Sequence, residues 1–87
     1  GRTGAQQARI LNYLYWLPYG DGSTRQDMAK DLELALASVC GRCTELLDLG
    51  HLVPIGTVGK PARQVLAITE TGIDWLRQLE DDRGRSL

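Results

Sequence analysis

At His51 the hydrophobic period of this chain changes from 3.6 to 2, and that switch constrains the fold more than any other feature. Before it stand two short helical patterns, TRQDMAKDL and ASVCGRCTELLDLG, separated by the tight apolar link Glu33-Leu34-Ala35-Leu36. After it, HLVPI and QVLAI flank the tip GTVGKPAR, which holds two cations, two glycines and a proline. Two helices followed at once by a hairpin make a helix-turn-helix that runs into a two-stranded β unit, an α+β arrangement that is mainly α.

Eighty-seven residues make a single domain, 1–87, near the size at which one core just suffices for folding. No apolar run approaches the length needed to cross a bilayer, and no signal-peptide pattern is present, so the expected location is the cytoplasm, or the host-cell cytoplasm if the chain is viral. The first residue is Gly rather than Met, which fits a cloning scar, a processed start or a cut from a longer protein.

Helical spacing of Ile10, Leu14 and Leu17, with Thr3 and Gln6 as a capping box, predicts a first helix over Gly4–Leu17, ended by Pro18 and the Gly20-Asp21-Gly22 loop. Ser23 with Gln26 repeats that box and starts a second helix over Thr24–Leu32. A third runs over Ala37–Leu49, stopped by Gly50. The hairpin spans Leu52–Ile68, with Leu66 and Ile68 inward and Pro54 where no ladder hydrogen bond is needed. Thr69 caps a last helix over Glu70–Glu80, with Ile73, Leu76 and Leu79 on one stripe and Trp75 beside it. Helix one is apolar on several faces; Leu11, Tyr15 and Trp16, with Trp75 and Leu79 of the last helix, are the expected dimer contacts, packing on two sides within the monomer being the alternative.

The third helix is amphipathic. Val39, Cys43, Leu46 and Leu47 share one face, while Ala37, Ser38, Gly41, Thr44, Glu45 and Asp48 lie opposite, with Arg42 on the shoulder. Glycine inside a helix costs about 0.5–1 kcal/mol against alanine, so Gly41 is either tolerated or marks a surface approached closely by another molecule. These residue types suit a DNA groove: Arg42 for guanine O6/N7 or phosphate, Ser38 and Thr44 for phosphate or a base edge, Glu45 for a cytosine amino group. A net charge of −1 argues against a strong polyanion binder, yet the signs separate along the chain. Glu80, Asp81 and Asp82 cluster near the C-terminus, whereas Gly56–Ile68 holds Lys60 and Arg63 without an acid. Pro61 keeps Lys60 extended, so the tip is suited to tracking a phosphate backbone or entering a minor groove.

Cys40-x-x-Cys43 followed by His51 offers three zinc-ligand types where a structural site needs four, and Cys43 falls on the apolar stripe, so no metal and no other cofactor is expected. With one histidine, no evident nucleophile with base and orienter, and no phosphate loop after a strand, no enzymatic activity is expected either.

The segment Thr24–Trp75 resembles winged helix-turn-helix regulators, both the MarR/PadR-like kind and small bacteriophage-type versions. The resemblance rests on Thr24-Arg25-Gln26, Leu36-Ala37-Ser38-Val39-Cys40-Gly41-Arg42, Glu45-Leu46, Gly59-Lys60-Pro61-Ala62 and Ile68-Thr69-Glu70-Thr71-Gly72. It implies a three-helix core, a β-wing and a C-terminal helix, with Ser38, Arg42 and Thr44 on the groove helix and Lys60 and Arg63 on the wing. The function expected is sequence-specific binding of double-stranded DNA in transcription regulation or in marking an operator or origin. Arg25, Ala37, Ser38, Gly41, Arg42, Thr44, Glu45, Lys60 and Arg63 make up the DNA-facing set, and a homodimer would place third helices in successive major grooves. The alternative is a winged-helix adaptor that binds protein with little or no DNA affinity.

Overall fold

The computed structural model describes residues 2–18 and 20–85, and side chains for residues 4–18 and 20–79. Its elements are α1 (Arg2–Tyr15), β1 (Ser23–Thr24), α2 (Arg25–Leu32), α3 (Leu36–Asp48), β2 (Leu52–Val58), β3 (Arg63–Ile68) and α4 (Glu70–Arg85). The three strands form an antiparallel sheet in the order β1-β3-β2. This is the expected α+β architecture, with one strand more than the sequence suggests.

The core joins Ile10, Leu11 and Leu14 of α1, Met28 of α2, Val39, Cys43 and Leu46 of α3, and Leu52 and Leu66 at the base of the hairpin. Burying each large aliphatic among them contributes about 1.5–3 kcal/mol. The core therefore welds the α2–α3 pair to the foot of the wing. Leu11 is fully buried, which corrects its expected place at a dimer contact: its side chain belongs to the monomer's own interior. Trp75 is half-buried, packs on that core and stacks on the buried His51 ring, with centroids 5.7 Å apart.

Two capping expectations change. α1 begins at Arg2, so Thr3 lies inside the helix rather than at its cap, and it ends at Tyr15 because Trp16 and Leu17 turn off it. α2 is capped by Thr24, not Ser23: Thr24 Oγ1 accepts from the Asp27 amide at 3.1 Å. Ser23 is taken by β1, opposite Leu66. The residue before it permits that pairing: a Cβ on Gly22 would collide with the Leu66 carbonyl oxygen, and only glycine lets the chain come so near β3.

The α2–α3 turn needs no glycine because Glu33 itself adopts the left-handed conformation (φ 56°), and the Leu34 amide donates to the Ala29 carbonyl at 2.9 Å. α3 ends in the same manner, with the His51 amide donating to Leu46 O at 2.9 Å. α4 is joined tightly to that corner. Thr69 Oγ1 accepts from the Gly72 amide at 3.2 Å and donates to the Gly50 carbonyl at 2.6 Å. A Cβ on Gly72 would meet the His51 carbonyl oxygen at 2.5 Å. α4 continues to Arg85, five residues past its expected end at Glu80.

Candidate nucleic-acid interface

α3 presents the side opposite its buried Val39, Cys43 and Leu46. Ala37, Thr44 and Asp48 are exposed there, and Ser38, Gly41, Arg42 and Glu45 are half-buried. Gly41 has nothing within 4 Å of a would-be Cβ, so packing does not account for the glycine. Thr44 Oγ1 donates back to the Cys40 carbonyl at 3.0 Å, one turn earlier. Arg42 and Glu45 face each other: Nε lies 2.7 Å from Oε1, and Nη2 donates to Oε2 at 3.2 Å. Glu45 Oε1 also accepts from Gln7 Nε2 of α1 at 3.1 Å. The two side chains expected to read bases are thus paired with each other.

The hairpin carries the other half of the site. β2 and β3 pair from Leu52↔Ile68 to Val58↔Arg63, with a bulge between Pro54 and Gly56 that leaves Ile55 as the extra residue on the outer strand. Because β2 is an edge strand, Pro54 is tolerated there. The Lys60–Pro61 peptide is cis, and Lys60 and Arg63 are exposed at the tip and its base. Among the described residues neither cation has an ion-pair partner. The start of α2 reaches the wing through Arg25, whose Nη1 donates to Gln64 Oε1 at 3.1 Å. Thr24, Asp27, Lys60 and Arg63 line one shallow groove between α2 and the tip. Arg25 also lies near enough to α3 for its charge to oppose the rise of the Cys43 pKa. Gln7 and Gln64 join this set without having been expected from sequence; Gln64 adjoins the basic tip, but Gln7 is far away in the chain and carries no signal.

The thiols are free. Burial pushes the Cys43 thiol up to about 11, against a weaker opposing pull from Arg25, while Cys40 is half-buried. Among the described residues no group of three or more His, Cys, Asp or Glu side chains is placed to hold a metal ion.

A second surface lies at the end of α1. Trp16 is 75% exposed, donates from Nε1 to Asn12 Oδ1 at 3.2 Å, and meets Tyr15 edge to face at 5.5 Å. Beside it, Ile73, Leu76 and Arg77 of α4 complete a groove. Leu79 is half-buried further along α4.

Helix-turn-helix, hairpin and packed fourth helix together make a winged helix-turn-helix fold. No protein-family model matches the chain, nor does any curated protein sequence. Solved structures do. MepR, a transcription regulator of the Staphylococcus aureus multidrug efflux pump MepA, aligns with a TM-score of 0.68 and 24% identity, over 94% of this chain and 64% of that one. A mutant of S. aureus MepR bound to an oligodeoxyribonucleotide aligns with a TM-score of 0.70 and 22% identity, over 98% and 67%. The chain thus spans about two thirds of the length of the MepR chains it matches. Among the described residues, no helix is long and apolar enough to cross a membrane.

Proposed function

We propose that this winged helix binds double-stranded DNA in a sequence-specific manner, α3 entering the major groove and the wing following the backbone or the minor groove. The observation that carries the reading is the convergence of Arg25, Lys60 and Arg63 on the edge between α2 and the hairpin, against a small-residue face of α3 at Ala37, Ser38 and Gly41. An arginine or lysine that meets a phosphate releases condensed counterions whatever the net charge of the molecule, so local arrangement outweighs the total of −1. The same fold in a MepR mutant is bound to an oligodeoxyribonucleotide, and MepR is a transcription regulator, which supports regulation of transcription or operator marking as the role.

In this reading the chain is a non-enzymatic, cytoplasmic binder without cofactor. Ser38 and Thr44 lie where phosphates or base edges pass, and Arg42 and Glu45 lie on the flank. A two-fold dimer formed through Tyr15, Trp16 and Leu79 would set two α3 helices one duplex turn apart.

Retention on heparin, together with a mobility shift of random duplex at low salt, tests the proposal. With three cations each neutralising one phosphate, the log–log salt slope is expected near −2.7, about −0.9 for each. A chain that ignores heparin and duplex while capturing a protein would instead be an adaptor, the second reading, which the exposed Trp16 favours.

A further inference from the structure

Building on the duplex-binding reading, we propose that Glu45 is a latch that withholds Arg42 from nucleic acid until an acceptor on the duplex takes its place. Three contacts carry this. The Arg42 guanidinium meets the carboxylate through two of its nitrogens, Nε to Oε1 at 2.7 Å and Nη2 to Oε2 at 3.2 Å. The Nη2 contact is a charge-assisted hydrogen bond, whereas the Nε contact is a close ion-pair approach without hydrogen-bond alignment. The third contact, from Gln7 Nε2 to Glu45 Oε1 at 3.1 Å, comes from a different helix. Pairs within a single exposed helix are weak because two long side chains must be held still, and a tether from α1 relieves part of that demand on Glu45.

The consequence is a division between the cations of the site. Lys60 and Arg63 stand ready on the wing, whereas Arg42 carries a neutralising partner on its own helix. Ser38, Arg42 and Glu45 lie on one stripe of α3 at spacings of four and three, so the latch borders the face offered to the groove. A duplex that supplies a phosphate or guanine edge beside Arg42 draws the guanidinium off Glu45. One that does not leaves the pair closed and a carboxylate facing phosphate. Glu45 therefore lowers affinity for every duplex and lowers it most for those lacking the acceptor, which raises discrimination.

The test measures binding of a fluorescently labelled random-sequence duplex between 50 and 200 mM salt for wild type, E45Q, Q7A, R42A and E45Q/R42A, with K60A/R63A as control. Glutamine keeps the shape of Glu45 and its acceptor for Gln7 but drops the charge. E45Q is expected to tighten binding and to steepen the salt slope by about 0.9, the equivalent of one more phosphate contact. Q7A should shift it the same way by less. In the R42A background, E45Q should leave the slope where R42A alone puts it. An equal gain with and without Arg42 would show simple removal of a negative charge and overturn the latch, as would an unchanged slope in E45Q. If binding depends on Lys60 and Arg63 but not on Glu45, the latch alone falls. If no variant, wild type included, binds duplex, the DNA reading falls and the latch with it.

Discussion

The wing and the exposed side of α3 both present arginine or lysine beside small residues, but they hold those charges differently. On the wing, Lys60 and Arg63 are exposed, on a hairpin stiffened by Pro61. On α3, Arg42 is paired with Glu45, and Glu45 is tied to α1 through Gln7. Counting the cations on a surface therefore overstates its pull on an anion. What matters is whether a carboxylate on the same element has already answered each one.

The largest expected effect is on the wing. K60A/R63A should lose two phosphate contacts, weakening all duplexes alike, on the order of 50-fold at 0.1 M salt, and flattening the slope by about 1.8. Fluorescence anisotropy across a salt series measures both. An unchanged slope would show that the wing cations do not meet phosphate.

On α3 the informative change is G41A. Alanine has open space there and should stabilise the free protein by about 0.5–1 kcal/mol, seen as a higher Tm, while weakening duplex binding several-fold because the added methyl group stands on the approach face. If stability and binding rise together, this face does not meet the groove. T24A tests the element between the two regions. Losing the α2 cap should cost about 1 kcal/mol in chemical denaturation with no change in salt slope, since Thr24 supplies no charge.

The smallest effect at neutral pH concerns Cys43. Its folded pKa is raised from 9.0 to about 11, so the folded state holds its proton longer than the unfolded chain does. Stability from this source is complete below pH 9 and is lost as pH rises towards 11, and C43A should flatten that part of the pH–stability curve. Alkylation should reach Cys40 before Cys43.

Much of this fold was legible because periodicity reports which side chains face the core. The switch at His51 placed the hairpin, and α2 and α3 begin within one residue of expectation. β1 was not legible: two residues, Ser23 and Thr24, carry no alternation, and their strand exists only because β3 accepts their backbone beyond Gly22. Leu11 was misplaced because an apolar helix end does not say which stripe meets the core; Ile10, Leu11 and Leu14 go inward while Tyr15 and Trp16 stay out. For the candidate site, the spacing of Arg42 and Glu45 showed that they share a stripe, but the contact from Gln7 is a tertiary event that no local pattern encodes.

Amide and indole chemical shifts followed by NMR during titration with duplex DNA decide whether the wing and α3 form the DNA-binding face, because they report wing, α3 and α1 in one experiment. Shifts are expected at Ala37, Ser38, Gly41 and Thr44 and at Gly59–Arg63, with the Trp16 indole unmoved by the duplex itself at fixed protein concentration. Perturbation centred on Tyr15 and Trp16, with the wing and α3 silent, would contradict it.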